Sequence, residues 1–410
     1  MAKIKVLQFG PIKEGYSDND GYIDVQKVTV FIGEQGSGKS SLAKLISTFS
    51  WMEKALVRGD RPQWWFERRP RFKKHLLGYH RLSDYVREET VIDYIGDAYR
   101  LRFVNDTLSI EKTNPDKYPA PQIMYVPAER NFIANVKNPK ALKMTSDSLI
   151  EFVTEFDRAK LAVNGGVPLP INGSRVEYDK LNDIVNIIGS DYKVRLTEAS
   201  SGFQSVVPLY LVSWYLSKTV KATEFRETFE SMSSEEIERF RKRVEAIVSD
   251  ETLTDEQMRT AISVLGSRFR KNAFINIVEE PEQNLFPTSQ WEMLKSLMEF
   301  NNNNVNNKLV ITTHSPYLIA YFSLCIQAES LWNKISDRQD LQQRVEQIVP
   351  RSAFLRDEDS FFYQLRNDGT IERIPEYEGI PSDSNYLNES LRDANVEFDK
   401  LLEIEQASKG

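Results

Sequence analysis

Four separated clusters in this sequence have the residue types of phosphate chemistry. The stretch 31–40, Phe-Ile-Gly-Glu-Gln-Gly-Ser-Gly-Lys-Ser, fits G-x-x-x-x-G-K-[ST], with Gly33, Gly38, Lys39 and Ser40 at the required spacing. Its glycines let successive N–H groups turn onto phosphate oxygens, Lys39 would pair the β- and γ-phosphates, and the Ser40 hydroxyl would ligate Mg2+. Gln35, Gly36, Ser37 and Ser41 complete the expected nucleotide lining. Glu279 and Glu280 close an apolar run at 273–279. Acids at a strand's carboxyl end beside a phosphate loop suit metal coordination by Glu279, directly or through water, and general-base action by Glu280. His314 follows another apolar run, 309–313, where it would sense the γ-phosphate. Ser200, Ser201, Gly202 and Gln204 open an apolar helix, and small hydroxyl residues at a helix start make a further anion-binding surface.

Positioning these groups requires strands that end together. The apolar run 28–32 leads into the phosphate loop, and an amphipathic segment, 40–52, leaves it as a helix. Alternation at 3–9 and 22–25 predicts a small antiparallel unit before the loop. Short strands are predicted at 90–95, 99–104 and 107–111, the last two joined as a hairpin at Asn105-Asp106. Residues 123–126 lead into Pro-Ala-Glu-Arg at 127–130, and an arginine there lies where open α/β sheets hold ligands. Helical spacing covers 142–161 and 178–188, with a loop at 164–170 between them. The charged stretch 217–272 reads as at least two helices, because Ser233 with Glu236 and Thr254 with Gln257 form capping boxes. A helix at 290–300 and an Asn-rich turn at 301–307 precede the His314 strand.

The chain has 410 residues, 40% of them hydrophobic and 11% aromatic, enough for a sizeable core and two or three domains. Net charge is −7, so no global basic field attracts nucleic acid, and any such contact is regional. The single cysteine, Cys325, forms no intrachain disulfide and fits a reducing compartment; the three histidines suggest no zinc site. No apolar run approaches a membrane span and the start has no signal-peptide core, so a cytoplasmic protein without a membrane partner is expected. The best basic patch lies at 54–74, where eight Lys or Arg stand against two acids, interleaved with Trp64, Trp65 and Phe66. Arg58, Arg68, Arg69, Arg71, Lys73 and Lys74 would there grip phosphates or an acidic protein.

Taken in this order the four clusters resemble the ATPases of the ABC superfamily, in the soluble branch of RecF, SMC and overcoming-lysogenisation-defect proteins. The resemblance runs from about residue 3 to 318 and maps the P-loop onto Gly33 to Ser40. It maps the signature onto Ser200 to Gln204, the Walker B and catalytic acids onto Glu279 and Glu280, and the switch histidine onto His314. It implies an α/β fold: an ABC-type P-loop ATPase head with an antiparallel β subdomain, a helical lobe and helical insertions. It also implies ATP and Mg2+ as cofactors, and a head-to-tail dimer or higher homo-oligomer that sandwiches ATP between one P-loop and the partner's signature. The expected organisation is a discontinuous ATPase domain, 1–330, with a basic and aromatic insert at about 53–90 and a helical insert at about 217–272. A hairpin-plus-helix extension, 331–410, would follow.

Three departures point to slow hydrolysis. Glu279 stands where Asp is commoner, Ser201 and Phe203 stand where the signature usually reads Gly-Gly, and no Q-loop glutamine precedes Arg130. After His314, the overcoming-lysogenisation-defect family continues into a Toprim nuclease; here Asp357 and Asp359 have an Asp-x-Asp spacing but fall in a charged loop. Gly-Pro-Ile at 10–12, Val-Pro-Ala-Glu-Arg at 126–130 and Ser-Asn-Tyr-Leu-Asn at 384–388 resemble the stand-alone ATPases of two-gene bacterial anti-phage systems, foremost PARIS, then Septu. That likeness implies a sensor and scaffold that holds a separate Toprim-like effector nuclease and releases it when an acidic phage anti-restriction protein binds. A RecF- or SMC-like repair ATPase that clamps DNA is the competing expectation, and a transporter's nucleotide-binding subunit the weakest.

Overall fold

The computed structural model describes residues 2–113, 118–136, 144–220, 232, 234–250 and 252–408. The chain starts with β1 (Ala2–Phe9), β2 (Ile23–Val25) and β3 (Val28–Gly33), and α1 (Lys39–Arg58) follows the phosphate loop. β4 (Val86–Ile95), β5 (Tyr99–Val104), β6 (Thr107–Lys112) and β7 (Pro121–Val126) come next. A lobe contains α2 (Asp147–Leu161), the small strands β8 (Arg175–Asp179), β9 (Ile184–Ile188) and β10 (Lys193–Arg195), and α3 (Ser201–Thr219). The helical insert supplies α4 (Ser234–Val248) and α5 (Asp255–Phe269). β11 (Ala273–Glu279), α6 (Pro287–Asn302), β12 (Lys308–Thr313) and α7 (Pro316–Lys334) complete the region that carries the paired acids and His314. β13 (Ser360–Leu365), β14 (Thr370–Arg373) and α8 (Tyr386–Ser408) close the chain.

The central sheet runs Gly15–Tyr16, β14, β13, β3, β12, β11, β7. Five of these strands, β13, β3, β12, β11 and β7, are mutually parallel. β3, β7 and β11 are buried along their whole length, as continuous apolar runs are when helices or sheets cover both faces. Successive side chains feed different cores: Phe274 and Val278 join a cluster with α3, α6 and α7, whereas Ile275 and Ile277 join one with α1 and the antiparallel sheet. That second sheet has the order β2, β1, β4, β5, β6, and lies across α1 from the central one. Register places Thr312 opposite both Glu279 and Phe31, so the strands carrying the acids, His314 and the phosphate loop end at one level.

Several expectations are met locally. Asn105 and Asp106 take φ of 50° and 54° and turn the β5–β6 hairpin. The Thr254–Gln257 capping box forms reciprocally: Thr254 N–H donates to Gln257 Oε1 at 2.9 Å and Gln257 N–H to Thr254 Oγ1 at 3.3 Å. Ser233 of the other box, and 221–231 of the helical insert, lie outside the described residues, as does 142–143 of the predicted helix 142–161.

The predicted helix at 178–188 is instead the β8–β9 hairpin. Asp179 accepts from the N–H groups of Leu181 and Asn182, forming an Asx turn, and Ile184, Val185, Ile187 and Ile188 favour the pleated strand that follows. The stretch 331–410 donates β13 to the centre of the main sheet beside β3, so its hairpin is integral to the phosphate-loop strand. The Asn-rich turn also fastens strands: Asn307 accepts from Phe274 N–H at 2.7 Å and Asn304 donates to the Asn272 carbonyl at 3.1 Å.

One buried acid joins α1 to the antiparallel sheet. Glu53 is 2% exposed; it accepts from the N–H groups of Ala98 (2.6 Å) and Tyr99 (3.1 Å) and from the Tyr94 hydroxyl at 3.3 Å. A Cβ at Gly96 would lie 2.1 Å from this carboxylate, which is why the β4–β5 turn has glycine there. Burial pushes the Glu53 carboxyl up to about 7, against those hydrogen bonds. A raised carboxyl pKa contributes stability below its unfolded value that is lost as pH rises through the folded one. Wild-type unfolding free energy, compared with that of Glu53→Gln in urea titrations, should therefore fall between pH 5 and 8 by up to about 3 kcal/mol. Parallel pH profiles for the two proteins would refute this.

Candidate functional site

The phosphate loop is built on close approaches. Gly33 has φ 150°, and a Cβ there would lie 2.4 Å from the Leu365 carbonyl oxygen; Gly38 has φ 106°, and a Cβ would meet Ile12 Cγ1 at 2.9 Å. Both positions require glycine for backbone as well as space. α1 starts at Lys39 in the same turn, so its free N–H groups and positive end face the loop. Lys39 is 5% exposed and donates to the carbonyls of Gly33 (2.8 Å) and Glu34 (2.7 Å). Burial lowers its ammonium to about 8, opposed by Glu280, Glu282, Glu279 and Glu34. The loop is also held from the C-terminal region, because the Glu34 carboxylate accepts from the Tyr386 hydroxyl and the Asn367 amide.

The acids lie at the end of β11. Glu279 is 3% exposed and its Oε2 accepts from Ala128 N–H at 3.2 Å. Tyr125 lies behind it; burial first, then the Glu279 charge, raises the phenol well above its ordinary pKa, although neither Tyr125 OH nor Glu279 Oε1 has a hydrogen bond of normal geometry. Glu280 takes a left-handed φ of 44°, its N–H donating to the Thr312 carbonyl at 2.8 Å. Its Oε1 stands 3.5 Å from His314 Nε2, and that histidine, ahead of the cost of burial, holds the carboxyl below the usual range. Glu282, absent from the sequence-based site, accepts from His314 N–H and Thr313 Oγ1, both at 2.7 Å, and so fixes the backbone that carries the histidine.

Ser200 caps α3 through its backbone, and Ser201, Gly202 and Gln204 follow in the first turn. A Cβ on Gly202 would reach the Asn284 carbonyl oxygen at 3.1 Å, while Asn284 Nδ2 donates to Ser205 Oγ at 2.9 Å. The signature thus packs on the segment that follows the acids; among the described residues no hydrogen bond joins it to the phosphate loop. Lys39, Glu279, Glu280 and His314 converge at one sheet edge, whereas Ser200 and Ser201 are exposed at the start of α3 and Gly202 is half-buried against Asn284.

The residues present fit a Mg2+-nucleotide. Ser37 Oγ and Glu279 Oε1 are buried polar atoms without a hydrogen-bond partner, Gly36 opens onto free space, and hydroxyl and carboxylate oxygens suit a hard cation. Gly33, Gln35, Gly36, Ser37, Gly38, Lys39 and Ser41 would hold the phosphates, and Ser40 and Glu279 the metal.

The basic stretch is divided by the fold. Arg58 is corrected from a surface contact to a core residue: it is 5% exposed, donates to Asp60 and to Glu236 at 2.6 Å, and lies over the Phe269 ring at 4.9 Å. It anchors α4 and α5 to the end of α1. Arg71 is half-buried and stacks on Trp65 at 4.3 Å, whereas Arg69 is exposed and bonds to Asn105 O and Thr107. Arg68 and Lys74 remain exposed with Trp64, and Lys73 is half-buried. Asp359 is ion-paired with Arg356, which disfavours a metal role for the Asp357 and Asp359 pair. Among the described residues no group of three or more His, Cys, Asp or Glu could hold a metal ion. No described helix is long and apolar enough to cross a membrane.

The family described as AAA ATPase domain matches residues 258–319, which include β11, the acids, α6, β12 and His314. No curated protein matches the sequence. Among solved structures, the SMC head domain from Thermotoga maritima is 12% identical, covering 92% of this chain and 98% of that one, with a TM-score of 0.37. A nucleotide-free ATP-binding cassette from an ABC transporter is 12% identical, covering 93% of each chain, with a TM-score of 0.31. A dimeric cassette in a post-hydrolysis state, bound to ADP and Pi, is 10% identical, covering 92% and 100%, with a TM-score of 0.26. At such scores the fold rests on the chain's own strand order and on the level ends of β3, β11 and β12: it is an α/β fold with a phosphate-loop strand inside a mainly parallel sheet and an antiparallel sheet across α1.

Proposed function

We propose that this chain binds and slowly hydrolyses ATP, and that the ATP-bound state is its signal. The convergence of Lys39, Glu280 and His314 on one sheet edge carries the reading. Lys39 would hold the β- and γ-phosphates, Ser40 and Glu279 the Mg2+, and Glu280 would take the proton of the attacking water, with His314 beside it. Bound Mg2+ would supply charge neutralisation at the phosphates. Hydrolysis in the manner of ABC ATPases needs a second copy, whose signature would cover the nucleotide; the exposed Ser200 and Ser201 are consistent with that.

Within this class we favour a sensor and scaffold of a two-gene anti-phage system of the PARIS kind, acting in the cytoplasm and holding a separate effector nuclease. The motif resemblance at 10–12, 126–130 and 384–388 supports it, as does the use of 360–373 to complete the ATPase sheet. The exposed Arg68, Lys74 and Trp64, with Lys73, would receive an acidic trigger protein. Charge reversal at Arg68, Lys73 and Lys74 should abolish triggering while leaving ATP binding intact; triggering that persists would remove the patch from the proposal. A DNA clamp is the second reading, favoured only by the same patch.

Two measurements test the whole. Lys39→Ala should weaken fluorescent-nucleotide binding at least tenfold, and Glu280→Gln should bind ATP normally while losing roughly 100-fold or more in hydrolysis. Wild-type turnover by Glu280→Gln would refute the general-base role. Affinity purification of both variants from a host carrying the native neighbouring genes should recover a stoichiometric protein partner with little nucleic acid. Duplex DNA without a protein partner, on Glu280→Gln alone, would support the clamp instead.

A further inference from the structure

Arg130 is fully buried, and among the described residues it has no salt bridge. Every hydrogen bond of its guanidinium goes to a main-chain carbonyl. Nε donates to Ser205 O at 3.1 Å; Nη1 donates to Pro127 O at 3.3 Å and Glu279 O at 2.7 Å; Nη2 donates to Glu280 O at 2.6 Å. The planar fork therefore joins the end of β7, the end of β11 and the first turns of α3, a span that a single ammonium cannot reproduce.

Two features give this junction consequences. Glu280 sits in the left-handed region at φ 44°, which is unfavourable for a non-glycine residue and persists only where neighbours over-determine it. Its N–H is fixed by Thr312 O, and its C=O accepts from Gln283 N–H at 3.0 Å as well as from Arg130, so the guanidinium supplies the one side-chain bond among the three that hold this backbone. Ser205 lies one helical turn after Ser201, and its Oγ also accepts from Asn284 of the segment following the acids. Pro208 removes the helix bond to the Gln204 carbonyl, leaving the first turn of α3 more dependent on these outside contacts.

We propose that Arg130 is a positioning residue for hydrolysis: it holds Glu280 in its left-handed conformation, aimed at His314, and ties that conformation to the signature end of α3. This rests on the ATPase reading above. A movement of the first turn of α3 is then passed to the backbone of the general base through one rigid group, which occupies the place just after β7 where the sequence lacks a Q-loop glutamine.

The test compares wild type, Arg130→Lys, Asn284→Ala and Glu280→Gln, with each of the first two variants also combined with Glu280→Gln. ATP binding is followed with a fluorescent analogue, hydrolysis by phosphate release, and folding by thermal melting. Arg130→Lys should lower kcat roughly 10- to 100-fold, with KM and nucleotide affinity within about threefold of wild type. Asn284→Ala, which leaves Arg130 in place, should lower kcat by a few-fold. Neither should reduce the residual hydrolysis of Glu280→Gln further, because the effect runs through Glu280. Unchanged kcat, equal losses in both backgrounds, or a loss confined to KM would overturn the role of Arg130 alone. Should Arg130→Lys fail to fold, the Asn284→Ala cycle decides by the same criteria. Wild-type protein that binds ATP without hydrolysing it would overturn the ATPase reading and this inference together.

Discussion

Two cations inside this domain are solvated by peptide carbonyls. Lys39 is bonded to Gly33 O and Glu34 O, and Arg130 to four carbonyl oxygens at the ends of two strands and in a helix. A buried charge without compensation is among the most costly features a fold can contain, so these carbonyls must be where they are for the chain to close. The arrangement leaves the nearby carboxylates uncommitted. Glu279 retains an oxygen without a partner, and among the described residues the Glu280 carboxylate is ion-paired only with His314. Had the two cations been neutralised by salt bridges to those acids, neither a metal ligand nor a base would remain.

The parallel sheet is what makes this possible. Carbonyls at strand ends have no further ladder partner and gather at one edge, where Gly33, Glu279 and Glu280 all lie. β13, which arrives late in the chain, packs its Leu365 carbonyl against Gly33 and so excludes any larger residue at the start of the loop. The phosphate loop is consequently shaped by residues more than 300 positions away, a dependence visible only once the sheet is assembled.

Much of the site was legible because its residues sit at fixed distances from apolar runs. Gly33 to Ser41, Glu279, Glu280 and His314 each follow a continuous hydrophobic strand, and such runs announce both the strand and the edge at which it ends. The less legible parts depend on long-range partners. Nothing local distinguishes Arg58, which the fold buries, from Arg68, which it exposes; the difference is made by Glu236 and Phe269, far along the chain. Glu282 carries no motif of its own, and Arg130, placed by its motif where ligands bind, is instead fully buried; their roles come from bonds to Thr313, His314 and main-chain carbonyls. The reading of 178–188 as a helix failed because apolar spacing in a short segment fits either period, and the Asx turn at Asp179 with β-branched residues after it decided for strand.

α1 has a mechanical consequence. Its 20 residues make a rod of about 30 Å, with Lys39 of the phosphate loop at one end and Arg58 of the buried ion cluster at the other. Glu53 clamps it to the antiparallel sheet near its far end, so the rod has a fulcrum as well as two loads. About a fulcrum at Glu53, a tilt of a few degrees moves the Lys39 end by about 1–2 Å and the shorter Arg58 end by about 0.5 Å. The pair α4 and α5 is bolted to that far end by Arg58, Asp60 and Glu236. The helical pair and the phosphate loop thus share one rigid element while lying about 30 Å apart.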